Sequence, residues 1–158
     1  MNLFPWLLFL HVLGAIVAFG PGFTQPLVGR LTASEPQHGN FSARVSQLTT
    51  DRVVIPAALS MPVTGALMIL VGGIDLLATR WLLLAIVLYV IALLIAVLLQ
   101  RPAIQRMVAL TSAPPPAGAP PGPPPGLPET AAALRRNGAI LGILVVTIVL
   151  LMVVKPTF

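Results

Sequence analysis

The sequence predicts an all-α transmembrane four-helix bundle with both termini on the outer side. Three observations carry that expectation. Of 158 residues, 57% are hydrophobic and only 8% charged, with a mean hydropathy of +0.98. Four apolar stretches have the length of a bilayer crossing. The basic residues are divided unequally between the two ends of those stretches. A soluble domain carries about a quarter charged residues, so thirteen charges exclude a water-soluble globular enzyme. A disordered chain needs low hydrophobicity and is excluded too. Without cysteine there is no disulfide, thiolate metal site or cysteine nucleophile.

A bilayer core needs about 20 apolar residues per helix. The spans are expected at about 3–28, 53–74, 81–99 and 138–154, and residues 1–158 form a single integral membrane domain. The second span contains no charge, the third only Tyr89 and the fourth only Thr147 as an interior polar side chain. The first is interrupted by His11 and by the run GPGFTQP. Pro21 and Pro26 remove backbone donors and are expected to bend or end that helix. It lacks a basic residue ahead of the apolar run and exceeds a signal-peptide core, so it reads as a retained helix.

Orientation follows from the arginines. Arg30, Arg44, Arg52, Arg101, Arg106, Arg135 and Arg136 lie on one side, against Arg80 and Lys155 on the other. Seven against two puts both larger loops in the cytoplasm and both ends outside an inner (plasma) membrane. Trp6 and Trp81 then fall at the outer interface, which suits indole rings. The basic excess therefore belongs to topology and to anionic lipid. Nucleic-acid binding, which needs a clustered basic face with stacking aromatics, is not expected.

The connector 31–51 is polar. Apolar residues at 41, 45 and 48 suggest a short helix lying on the membrane surface. Thr50 or Asp51 is placed to cap the second span. The second and third spans should form a tight hairpin around Asp75, with Gly72-Gly73 ending the helix. Residues 112–128, nine of seventeen of them proline, form a cytoplasmic Pro-rich linker that favours extended polyproline II.

Candidate chemistry centres on His11, the one ionisable side chain inside a span. Its helical face carries Leu7, Gly14, Ala15 and Ala18. Gly14, Ala18 and Gly22 make a small-xxx-small row that lets another helix approach. Gly138 and Gly142 repeat that spacing in the fourth span. At 1.5 Å per residue, His11, Met68, Tyr89 and Thr147 all lie about 9–12 Å from the outer surface. Three readings stay open for this layer. His11 hydrogen-bonds to Tyr89 or Thr147 in a buried polar layer. Alternatively it is an axial haem ligand, with Met68 or a second copy's histidine opposite. The third reading is a proton or ion path, for which no intramembrane Asp, Glu, Lys or Arg supplies a relay. His38 lies in the cytoplasmic connector and cannot share a haem with His11 in one subunit. A lone histidine does not make a structural zinc site, and no carboxylate pair is placed for acid–base work.

The segment LFLHVLGAIVAFG, residues 8–20, resembles small uncharacterised bacterial integral membrane proteins with a Leu-His-Val-Leu-Gly motif in the first helix. More distantly, the chain is similar to HemJ-type protoporphyrinogen oxidases and CopD-type copper-resistance proteins. The HemJ likeness implies haem binding at His11. The uncharacterised family implies a multi-pass inner-membrane protein of unassigned function. The expected role is a non-enzymatic structural or accessory component embedded in the lipid bilayer, as a homo-oligomer or a subunit of a membrane complex, with a haem-binding redox protein using His11 as the alternative.

Overall fold

A computed structural model describes residues 2–112 and 122–157. Six α-helices make up four rods. α1 is Phe4–Ser34. α2, Gly39–Thr49, runs through a π-turn, Thr50–Val54, into α3, Ile55–Gly72. α4, Arg80–Ile95, runs through a second π-turn, Ala96–Gln100, into α5, Arg101–Ser112. α6 is Leu127–Val154. All four rods are long and apolar enough to cross a membrane, and no strand occurs among the described residues.

Every rod outruns its expected span on the side of the connector and the Pro-rich linker. α1 continues past Pro21 and Pro26 to Ser34. Each proline removes one donor, yet its fixed φ suits a helix, and packing against α3 and α2 keeps the rod whole. α2 is helical as expected. It does not lie across the membrane surface, because the backbone from Thr49 to Ile55 stays right-handed helical and α2 extends α3 coaxially. Asp51 therefore sits inside a rod and caps nothing. It accepts a 2.7 Å hydrogen bond from Arg101 Nε instead. α6 begins at Leu127, eleven residues before the expected start of the fourth span. Of the Pro-rich linker, residues 113–121 lie outside the described residues.

The turn between α3 and α4 is short, as expected. Gly73 takes a left-handed φ of 59°, which lacks a Cβ penalty only in glycine. Ile74 N donates to Ile69 O at 3.1 Å and Gly73 N to Leu70 O at 3.4 Å, the Schellman pattern of a helix end. Asp75 Oδ1 then accepts from Leu77 N and Ala78 N, which holds the turn. The hairpin is not tight along its length. α1 packs most closely on α3, α4 on α6, and α2 on α5. The backbones of α3 and α4 stay further apart, and the phenol of Tyr89 spans the gap to the carbonyl of Ala58.

The core is built of small residues. Ala18, Ala43, Ala58, Ala85 and Ala92 are buried beside Met61, Leu82, Ile104, Val145, Ile148 and Leu151. Leu70, Ile143 and Val153 are more than two-thirds exposed. In water that surface would aggregate; in lipid the tails match it, so close backbone approach decides the packing.

Candidate functional site

His11 faces α3. Its Nδ1 lies 2.8 Å from Thr64 Oγ1. The threonine hydroxyl has one proton and two backbone carbonyls, Ser60 O and Met61 O, each 3.1 Å away. The network closes when Thr64 donates to its own helix and accepts from His11 Nδ1–H. That assignment leaves the Nε2 lone pair uncommitted. Gly65 makes room for the ring, since a Cβ there would sit 3.4 Å from His11 Cε1. One turn further on, Gly14 meets Met61, whose sulfur would be 3.2 Å from a Cβ on the glycine.

The structure separates the other expected members of the layer from His11. Tyr89 reaches Ala58, six residues from Thr64 and so about 9 Å along the rod. Thr147 returns its proton to Ile143 O at 2.9 Å, within its own helix. The hydrogen-bond partner of His11 is Thr64, not Tyr89 or Thr147. Met68 is half-buried one turn beyond Thr64 on the same face of α3. The methionine set against α1 beside the site is Met61, buried to 7% exposure.

The small-residue positions divide in the same way. Gly14 and Ala18 lie at the α1 interface, while Gly22, Gly138 and Gly142 have no neighbouring atom within 4 Å of a Cβ position. Gly65, not singled out above, and Gly72, read there only as a helix end, also make close approaches. A Cβ on Gly72 would stand 3.0 Å from Phe4 Cε2. The signal was present as a three-four spacing of Ala58, Met61, Gly65, Met68 and Gly72, the seam of two packed helices.

A family model described as "Predicted integral membrane protein (DUF2269)" matches residues 5–156. The chain belongs to the DUF2269 family. Comparison with curated proteins and with solved structures gave no match.

A second polar cluster in this DUF2269 chain lies about 20 residues from the tryptophan end. Trp81 is covered by Lys155 Nζ at 5.9 Å. From Trp81 to Arg101, and from Lys155 to Arg135, is about 30 Å at 1.5 Å per residue, one hydrocarbon thickness. The Asp51–Arg101 pair therefore stands about one hydrocarbon thickness from Trp81. There Gln100 Oε1 is buried without a hydrogen-bond partner, and Asn137 is 4% exposed. Beyond it polar bonds tie the rod extensions together. Ser46 donates to Gln25, Thr32 to Ser42, and Asn40 to Thr111 and Ser112. No three His, Asp or Glu side chains gather as a metal centre among the described residues.

Proposed function

We propose that this DUF2269 protein is a non-enzymatic structural or accessory component of a bacterial plasma membrane, with both termini outside. One observation carries the reading. Four polar side chains bond from one rod to the next: His11 to Thr64, Tyr89 to Ala58, Arg101 to Asp51, Asn40 to Thr111. Such bonds align helices, a structural use of polar groups inside a membrane. Open glycine positions on α6 offer lipid-facing surface to a companion chain or a second copy. Copurification in mild detergent tests this, with a stoichiometric membrane companion or a defined homo-oligomer as the expected result. A stable lone monomer at native expression in several mild detergents overturns it. For orientation, a cysteine at residue 75 should label from outside and one at residue 120 should not; the reverse pattern overturns it.

A second reading rests on the His11 tautomer. Histidines that bind metal or haem iron donate one ring N–H to a neighbour, which fixes the ring and frees the other nitrogen. With Thr64 accepting that proton, His11 Nε2 would be free to hold haem iron, together with Met68 or a second copy's histidine. A Soret band in protein purified after haem-replete expression, lost in His11→Ala, supports this reading. Absence of the band from the haem-replete wild type removes it.

A further inference from the structure

A groove of about 380 Å³ lies between α5 and α6, lined by Pro102, Ala103, Arg106, Glu129, Thr130 and Ala133. Its volume falls within the range of small-ligand sites, about 300–1,000 Å³. Arg106 and Glu129 carry opposite charges and face the same space. Among the described residues neither enters an ion pair; the pairs present join Arg101 to Asp51 and His38 to Glu35. Arg106 Nη2 lies against Gly126, 3.2 Å from where a Cβ would begin, and that residue has a left-handed φ of 86°. Thr130 donates its hydroxyl proton to Gly126 O at 2.7 Å, so its oxygen is left to accept.

Depth narrows the ligand. Arg106 lies five residues beyond Arg101, about 7.5 Å outside the hydrocarbon boundary. The headgroup layer is about 5–7.5 Å deep on each side, so Arg106 sits at its outer edge. A cation and an anion that line one groove without pairing, at that depth, fit a molecule with a phosphate and an ammonium on a short link. We propose that this groove binds the phosphoethanolamine headgroup of a membrane lipid. Arg106 takes the phosphate, for which a planar guanidinium offers paired donors. Glu129 and the Thr130 oxygen accept from the primary ammonium. Pro102, Ala103 and Ala133 form the apolar wall continuous with the acyl region. A choline headgroup has no N–H to give Glu129, and a phosphoglycerol headgroup brings it no cation.

The test uses the full chain in lipid nanodiscs of phosphatidylcholine with equal fractions of phosphatidylethanolamine and phosphatidylglycerol, each of distinct mass. Native mass spectrometry then counts the lipid that stays bound. The expected result is about a tenfold preference for phosphatidylethanolamine, the size of one lost charge-assisted hydrogen bond. Glu129→Gln removes the preference, whereas Arg106→Gln lowers the retention of all three lipids, because each carries the phosphate. Glu129→Arg, which makes the groove wholly cationic, turns it toward phosphatidylglycerol, a gain that misfolding cannot mimic. Equal retention of all three lipids by the wild type overturns the proposal, as does a preference that survives in Glu129→Gln or a total lipid retention unchanged in Arg106→Gln. If soluble glycerophosphoethanolamine displaces the lipid at equal concentration, the ligand is the free headgroup and the assignment to a membrane lipid falls.

Discussion

Thr64 is the residue on which the intramembrane histidine depends. Thr64→Val keeps the shape and removes the hydroxyl, so His11 Nδ1 loses its partner. Hydrogen bonds between membrane helices average about 0.6 kcal/mol, and a loss of that size is expected in reversible detergent unfolding. If His11 makes no use of Thr64, the variant will be indistinguishable from wild type. The glycines give a sharper contrast. Gly72→Leu drives a side chain into Phe4 and should cost about 1–3 kcal/mol by overpacking. Gly138→Ala meets nothing within this subunit and exchanges a weak helix former for the best one, so it should be neutral or stabilising. A large loss at Gly138 in the same unfolding assay would show that α6 packs on another chain there. His11 was legible in the sequence, because a titratable ring in an apolar run is conspicuous. Its partner was not. The depth of Tyr89 and Thr147 could be counted, but which face each presents depends on helix rotation, and rotation is set by packing.

At the scale of elements, the differences from expectation all lie where polar sequence continues a membrane helix. Hydropathy reports where lipid begins and ends, whereas a helix ends where its backbone bonds end. In α2 and α5 those bonds continue through a π-turn, and side-chain bonds between neighbouring rods replace apolar contact. Asp51 reads as a cap from the residues that follow it, yet helical backbone on its N-terminal side leaves no free amides to cap. The coaxial course of α2 has a direct test. Thr32 Oγ1 and Ser42 Oγ lie 3.0 Å apart, and the chain has no native cysteine. A Thr32→Cys, Ser42→Cys pair should therefore close a disulfide on mild oxidation, seen as a loss of two mass units. An α2 lying flat on the membrane would leave that pair reduced. Asp51→Asn should lower stability by only about 0.2–1 kcal/mol in the same unfolding assay, since both partners keep access to solvent.

For the whole molecule, an exterior of leucine, valine and isoleucine around an alanine core makes the bilayer part of the fold. In buffer without detergent the chain should aggregate, as light scattering will record; a monodisperse sample there would contradict four crossings. The sequence by itself determined the membrane class, the four crossings and the distribution of arginine between their ends. Those properties depend on composition and on length against bilayer thickness, which a one-dimensional reading measures. Tertiary structure alone decided that Thr64 orients His11, that Gly65 and Gly72 carry close approaches, and that Arg106 and Glu129 share a groove. Each of these needs the relative rotation and register of two helices, and between apolar surfaces in lipid those are fixed by a few small side chains and single hydrogen bonds.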